Sequence, residues 1–365
     1  MAGQQAQNIA ICGAGILGLL SAYELVRAGH SVTLYDPAGF PAKSSASYIA
    51  GGMLAPYSEI EHMSESWVQA GLDSIARWRE IAQELGPLAD FGQKGSLFIA
   101  HSPDQYMLER FSAHLKDKPH CRIVGGVELE KLEPALAGRF KTGLYLEEEA
   151  HLYPARVMEL LCAKLAAAGA VFKTEAVEPQ NLSGSYDRAI DTRGMAASAQ
   201  DQDLRGVKGE IVIVRNPEFS LLRPLRLMHP RYPLYIVPRP DHHFMIGATM
   251  IESSGRSFTS LRSAMELMSA LYSLHPSFGE AEVIDFLSGL RPSYSDNLPR
   301  ITVQRKSEGN IVRANGSFRH GYLLAPFIAS CLRVHLDGKQ IEEIPQIIRY
   351  EDDDNSDHQR QKAAI

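Results

Sequence analysis

The sequence predicts an α/β fold in which a parallel-sheet domain is interrupted by an α+β unit built on an antiparallel sheet. Three observations carry that expectation. The chain opens on Ile9-Ala-Ile-Cys-Gly13-Ala-Gly15-Ile-Leu-Gly18, an apolar run turned by a Gly-x-Gly-x-x-Gly pattern, followed by an apolar helix and a second short apolar run that ends at Asp36. Between Phe91 and Tyr153 the pattern changes to short β-like runs. From Pro154 the helix–strand alternation resumes, and it returns once more in the last third of the chain.

Each element has a local reason. Gly13 permits a tight strand-to-helix turn, Gly15 lets the backbone approach a pyrophosphate, and Gly18 lets the helix pack closely on the sheet. Phosphates rest on the positive N-terminus of such a helix. Asp36 follows a strand over 31–35, where a carboxylate accepts the ribose hydroxyls of an adenosine and repels a 2′-phosphate, so NADP is disfavoured. Residues 37–47 and the segment Tyr48-Ile-Ala50-Gly51-Gly52-Met53-Leu54-Ala-Pro56 are too rich in glycine and small residues for a regular element. Trp67, Leu72, Ile75, Trp78 and Ile81 recur at helical spacing and predict a helix over 64–85, stopped by Gly86-Pro87.

Runs over 96–100 and 143–146 read as strands around a helix over 103–116. Pro154 starts a helix over 155–168 that Gly169 ends, and a strand over 170–174 follows. Residues 189–194 read as the next strand, running into a glycine turn. Strands over 210–214, 234–238 and 244–248 come next, with Asp241-His242-His243 as the turn between the last two, then a helix over 260–274. Residues 281–290 lead into Arg291-Pro292, and a strand over 311–314, an Asn315-Gly316 turn and a helix over 321–334 bring the chain home. The expected division is 1–86, 150–207 and 284–350 for the dinucleotide domain and 87–149 and 208–283 for the substrate domain, with 351–365 a flexible charged tail.

Composition narrows the function classes. With 365 residues, 45% hydrophobic and 22% charged, the chain has the makeup of a soluble globular protein of two domains or one elaborated one. The net charge of -6 is spread along the chain without a basic stripe, so nucleic acid is not an expected partner. No run approaches the ~20 apolar residues that cross a bilayer, and the apolar stretch over 9–25 carries the phosphate-loop glycines rather than a leader's basic start. Cys12, Cys121, Cys162 and Cys331 show no metal or redox spacing, which suits a reducing cytoplasm without disulfides. His242 and His243 fall in a hairpin turn and are expected to be solvated; no metal site is expected.

Three further segments resemble the D-amino acid oxidase superfamily of flavoproteins, in particular its glycine oxidase branch of thiamine-biosynthesis type. They are Ser44-Ser45-Ala46-Ser47-Tyr-Ile-Ala50-Gly51-Gly52-Met53 through Glu59; Leu234-Tyr235-Ile-Val-Pro238-Arg239 with Ile246-Gly247-Ala-Thr249-Met250; and Gly289-Leu290-Arg291-Pro292 with Gly316-Ser-Phe-Arg319-His320-Gly321-Tyr322-Leu323-Leu-Ala-Pro326. The resemblance covers nearly the whole chain. It implies a Rossmann-type FAD-binding domain (GR2-like) with an inserted α+β substrate domain on an antiparallel sheet.

The resemblance implies cofactor contacts at Gly13, Ala14, Gly15, Ile16, Leu17, Gly18, Asp36 and Pro37, and along the loop at Ser44, Ser45, Ala46, Ala50, Gly51, Gly52 and Met53. Further contacts are implied at Val177, Thr192, Gly194, Gly289, Arg291, Arg319, His320, Gly321, Tyr322 and Leu323. In the implied reaction Arg291 and Tyr235 anchor a substrate carboxylate so that the adjacent Cα–H faces flavin N5, Arg319 is a second pocket arginine, and Met250 and Met53 line the site. The implied substrates are small carboxylate-bearing amines such as glycine, sarcosine or iminodiacetate, oxidised with dioxygen to glyoxylate, released amine and hydrogen peroxide. For a dicarboxylate, Arg319, His320 or Arg231 is a candidate second cation, suggested by the basic run Arg223, Arg226, His229, Arg231.

Two places depart from the pattern. His320 stands where relatives of the branch often carry asparagine, and Asp191-Thr192-Arg193-Gly194 matches only part of the family. No cysteine matches the covalent flavin attachment of sarcosine oxidases, so non-covalent FAD is expected. Relatives often form homotetramers, so a homo-oligomer belongs to the same expectation. Other readings stay open: a nicotinamide-dependent dehydrogenase, a flavoprotein dehydrogenase using another electron acceptor, a D-amino acid oxidase with a different amine, or a flavin-binding protein without turnover.

Overall fold

A computed structural model of the chain describes residues 6–352 apart from 183, 231–233, 256–257, 306–310, 340 and 342–343. Arg231 and residues 353–365 of the expected tail therefore lie outside the described residues. The chain opens with β1 (Asn8–Cys12), α1 (Ile16–Arg27) and β2 (Ser31–Tyr35). β1 and β2 pair in parallel, Ile9 opposite Val32 and Cys12 opposite Tyr35. β3 (Met53–Leu54) and α2 (Glu65–Leu85) follow, and α2 ends where Gly86 turns out of the helix at φ 85°.

The second stretch runs through β4 (Ser96–Ala100), α3 (Gln105–Ser112), β5 (Cys121–Gly125), α4 (Gly126–Leu132), β6 (Thr142–Leu146) and β7 (Ala150–His151). Next come α5 (Pro154–Ala167), β8 (Val171–Lys173) and β9 (Arg188–Asp191). β10 (Arg205–Arg215), β11 (Leu225–Met228), β12 (Leu234–Arg239), β13 (His243–Gly247) and β14 (Ile251–Glu252) follow, then α6 (Leu261–Leu274) and β15 (Glu282–Ser293). β16 (Arg300–Arg305), β17 (Ile311–Asn315), α7 (Gly321–Leu336) and β18 (Ile348–Asp352) complete the described chain.

Seven strands form one sheet in the order β18-β16-β17-β9-β1-β2-β8. The five from β17 to β8 are parallel, and β1, β2, β9 and β17 are buried along most of their length because helices cover the sheet. Leu19, Leu20 and Leu25 of α1 share one core with Leu161 and Leu165 of α5, Trp78 of α2 and Leu324, Ile328 and Leu332 of α7. Each such buried side chain contributes about 1.5–3 kcal/mol of apolar transfer. Trp78 also fixes the start of α7: its indole Nε1 donates to Tyr322 O at 2.7 Å and its ring stacks on Tyr322 with centroids 6.0 Å apart.

The other large sheet runs β14-β10-β13-β12-β11-β4-β6-β5, with β15 on β10 as well, and is antiparallel except for the β11–β4 pair. Its two faces follow the strand period of two. Val212, Val214, Ile236, Phe244 and Ile246 pack on Leu267, Leu271 and Leu274 of α6, whereas Ile211, Val237 and Met245 point the other way and meet Met53, Tyr235 and Leu287. The register lines up Phe98, Arg226, Tyr235, Gly247, Ile211 and Leu287 as one row across six strands on that second face.

Several elements differ from the sequence reading. The helix expected over 103–116 is only Gln105–Ser112, flanked by 3₁₀ turns at Ser102–Asp104 and Ala113–Leu115. The glycine-rich loop holds a two-residue strand, β3, because Met53 and Leu54 pair with His151 and Ala150. Of residues 281–290, all but Ala281 belong to a twelve-residue strand, β15, whose pairing along β10 overrides Gly289 and Pro292. Glu351 and Asp352, read as tail, close β18, where backbone pairing to Gln304 and Arg305 does not require apolar side chains. Among the described residues no helix is long and apolar enough to cross a membrane.

Candidate active site

The β1–α1 turn is built so that only glycine fits. Gly13 has φ +102°, and a Cβ there would stand 2.6 Å from Thr192 O. A Cβ on Gly18 would run into Gly13 O and stand 2.7 Å from Thr192 Oγ1, the hydroxyl that donates to Gly13 O at 2.9 Å and to Cys12 O at 3.1 Å. Gly15 caps α1 without a side-chain hydrogen bond, and Ile16 N donates to Ser47 Oγ at 3.0 Å. Asp36 accepts from Ala14 N at 2.8 Å through Oδ2 and from Ala38 N at 2.9 Å through Oδ1. Each oxygen keeps a lone pair for a ribose hydroxyl.

From this turn a cavity of about 470 Å³ runs to the second face of the antiparallel sheet. Gly13, Gly15, Ile16, Leu17 and Asp36 line one end, followed by Ser44, Ser45, Ala46, Ala50, Gly51, Gly52 and Met53, with Thr192, Gly194 and Gly289 alongside. Tyr235, Met250, Arg291, Arg319, His320, Gly321, Tyr322 and Leu323 line the other end. Four expected contacts do not reach the wall. Ala14 and Gly18 are buried behind the turn, Pro37 is exposed beyond it, and Val177 packs against the cluster of Cys12, Tyr35 and Ala189. The first two hold the turn's shape; in Pro37 and Val177 we find no contact with the cavity.

The loop from Ser44 to Met53 is held from several sides. Tyr322 Oη donates to Ser47 O at 3.0 Å. Arg239 Nη2 donates to Gly51 O at 2.6 Å and Nη1 to Leu152 O at 3.1 Å, with the guanidinium 4.9 Å from the Tyr153 ring centre. Burial pushes the Arg239 pKa down to about 10. Gly51 admits the ring of Tyr235: a Cβ there would be 3.2 Å from Tyr235 Cε2 and 2.7 Å from Met245 Cε.

At the sheet end, the Arg291 guanidinium lies flat over Gly209, where a Cβ would be 2.5 Å from Cζ and 2.7 Å from Nη1. Nη1 donates to Thr249 O at 3.1 Å. Burial draws the Arg291 pKa down while the Tyr235 hydroxyl beside it pulls the other way. Arg319 is ion-paired with Glu59 through Nη2, and its Nη1 faces Met250 Sδ at 3.4 Å. Burial works against the Glu59 charge, but Arg319, His320 and Arg226 hold its carboxyl below the ordinary range. His320 is 2% exposed, its Nε2 has no hydrogen-bond partner, and burial pushes its pKa down to about 4. The imidazole is therefore neutral at pH 7.

Sequence reasoning missed part of this wall. Glu59 closes a quoted segment but received no role, and Gly209 carried no signal of its own. Arg226 belongs to the basic run, lines the cavity, donates to Ser58 O at 3.0 Å and stacks on Phe98 at 5.1 Å. Behind it Glu149 is fully buried, accepts from Ser58 N at 2.7 Å and Ser58 Oγ at 2.8 Å, and is pushed up to about 7 by burial. Arg223 of the same run is structural: it donates to Lys94 O and Leu132 O at 2.6 Å each and stands 3.5 Å from Glu133. His229 does not line the cavity. His242 Nδ1 lies 3.1 Å from Phe219 O, and among the described residues no group of His, Cys, Asp or Glu is placed to hold a metal.

The donor set fits a long dinucleotide carrying a flat ring. Bare glycines and serine hydroxyls line the phosphate end, two helix N-termini without side-chain caps open into the cavity, and the orphaned His320 Nε2 requires a partner.

Comparison with known proteins gives the same answer. The family model described as FAD dependent oxidoreductase (DAO) matches residues 8–333. A Rhizobium etli protein named as the thiamine biosynthesis oxidoreductase ThiO is 41% identical over 322 residues, 88% of this chain and 94% of that protein. Glycine oxidase of Geobacillus kaustophilus is 28% identical over 347 residues, 87% of this chain and 90% of its own length. Its crystal structure superposes with a TM-score of 0.78 over 93% of this chain and 96% of that one. Iminodiacetate oxidase from Chelativorans sp. BNC1, 21% identical, shares the fold at a TM-score of 0.77, covering 94% of this chain and 99% of its own. The expected α/β fold with a Rossmann-type FAD-binding domain is borne out, with mixed sheets.

Proposed function

This chain belongs to the FAD-dependent oxidoreductase (DAO) family, and from that premise we propose that it oxidises glycine-type amines. The overall reaction is a glycine or N-substituted glycine plus dioxygen and water giving glyoxylate, the released amine and hydrogen peroxide. One observation carries this reading: Arg291 and Tyr235 stand in the same cavity as the Gly13–Gly15 turn and Asp36.

Bound FAD supplies the two-electron acceptor. The protein's part is to bind and orient. Arg291 offers a planar fork to a carboxylate, a geometry that lysine lacks, and Tyr235 adds a hydroxyl donor beside it. Gly209 leaves the space in which that guanidinium lies. A buried site next to a fixed cation disfavours an ammonium, so the bound amine is the neutral form with its lone pair available. Met250, Met53 and Ile211 give the substrate carbon an apolar surround.

We assign cofactor binding to 1–86, 150–207 and 284–350 and substrate binding to 87–149 and 208–283, with the flavin held without a covalent bond. None of Cys12, Cys121, Cys162 and Cys331 is in a disulfide, which supports work in a reducing compartment such as the cytoplasm. The test is anaerobic: glycine, sarcosine or iminodiacetate should bleach the flavin of purified holoenzyme, and air should restore it with peroxide released. A flavin that no such amine bleaches, or one that air does not reoxidise, contradicts the oxidase reading.

A further inference from the structure

We propose that Glu59 sets substrate charge: by neutralising Arg319 it makes the site take amines that carry one carboxylate and discriminate against those that carry two. The inference rests on the reading above that Arg291 holds the reacting amino acid's carboxylate.

Two guanidiniums at the sheet end differ in what they already hold. Arg291 donates to a neutral acceptor, Thr249 O, has Tyr235 beside it, and makes no ion pair among the described residues. Its charge is free to meet one substrate carboxylate. Arg319 is committed to Glu59, a partner 260 residues away in sequence, and its remaining donor faces the weakly accepting Met250 sulfur. The pair is largely shielded, with 22% and 15% of the Arg319 and Glu59 side chains exposed, and both residues line the cavity.

Arg226, the third guanidinium of this wall, is already engaged. It donates to Ser58 O and lies over the Phe98 ring, and Glu59, Glu149 and Glu61 are the acids that act on it. A second carboxylate reaching past the amine toward Arg319 therefore approaches the ionised Glu59, and like charges at close quarters in a shielded site repel. Sarcosine and iminodiacetate are both secondary amines and differ by that one carboxylate, so their ratio isolates the effect.

The experiment measures kcat/KM of the holoenzyme for sarcosine and iminodiacetate in the wild type, Glu59→Gln and Glu59→Asp. Wild type is expected to favour sarcosine. Glu59→Gln should raise the iminodiacetate-to-sarcosine ratio by at least about tenfold, equivalent to about 1.4 kcal/mol, and Glu59→Asp should leave it near the wild-type value. A ratio that stays within about twofold in Glu59→Gln, or a wild type that prefers iminodiacetate, overturns the proposal. A second measurement does not depend on the variants folding: methoxyacetate and oxydiacetate, unreactive analogues with one and two carboxylates, are titrated into wild-type holoenzyme and followed by the flavin spectrum. Methoxyacetate should bind at least about tenfold tighter; equal or reversed affinities overturn the proposal. Failure of the functional reading looks different, because then no amine bleaches the flavin, whereas failure of this inference leaves bleaching intact and the ratio unmoved.

Discussion

Replacing Gly209 by alanine should cripple substrate binding while leaving the fold in place. The new Cβ would start 2.5 Å from Arg291 Cζ and closer still to Nη2, and ordinary contact begins at 3.4 Å, so the guanidinium has to retreat by about 1 Å. Nothing in the backbone resists the change: Gly209 has no positive φ, it sits within a strand paired to Gly289, and the atoms it strikes end a flexible side chain. The cost falls on the site. Charge-assisted hydrogen bonds are worth about 1.5–3 kcal/mol each, and a misplacement near 1 Å costs up to about 100-fold in rate. We therefore expect kcat/KM for glycine or sarcosine to fall about 10- to 100-fold, with FAD content and thermal midpoint close to wild type. The assay is peroxide release under air, alongside the FAD absorbance per chain. Wild-type kcat/KM in a fully FAD-loaded variant would refute the placement of the carboxylate on Arg291.

Other consequences are equally direct. Gly13→Ala meets Thr192 O at 2.6 Å in a backbone conformation that L side chains rarely adopt, so the variant should purify without FAD or fail to fold; a yellow, active Gly13→Ala contradicts the phosphate-loop assignment. Trp78→Phe keeps the stacking but leaves the buried Tyr322 carbonyl without its donor, which should cost about 1–3 kcal/mol and lower the thermal midpoint by a few degrees. The Glu149 carboxyl is raised from 4.5 to about 7 on folding, so its contribution to stability is full below pH 4.5 and is lost as pH rises through 7. Glu149→Gln should accordingly gain thermal stability relative to wild type between pH 5 and pH 8, and a midpoint difference that stays constant across that range would refute this. His320 has the opposite sign: lowered from 6.5 to about 4, it withdraws stability as pH falls from 6.5 toward 4, and His320→Asn should flatten that acid limb.

The parts of the molecule that could be read from sequence are those whose cause is local. The Gly13, Gly15 and Gly18 spacing, the acid at Asp36 and the helical stripe of α2 each sit within one or two elements, and the structure has them as expected. Arg291, Tyr235 and Met250 were reached through motifs, and the structure brings them into one cavity. What stayed hidden depends on sheet register. Arg226 and Tyr235 are opposite each other on β11 and β12, and Gly209 opposes Gly289 on β15, facts that no window of sequence contains. The Glu59–Arg319 pair joins a loop near the start to a turn near the end, and Glu149 is an ordinary ionised glutamate until burial beside Ser58 raises its pKa. β15 was missed for a related reason: glycine and proline argue against a strand locally, and a full-length partner outweighs them.

The proposed reaction depends on a guanidinium that grips an acid group next to the flavin, and one titration tests that grip. Glycolate, which carries the carboxylate but no oxidisable amine, is added to FAD-loaded wild type and to FAD-loaded Arg291→Gln while the flavin spectrum is followed. A saturable spectral change in wild type that is absent or at least about 100-fold weaker in the variant is the predicted result. Identical titration curves for the two proteins would contradict it.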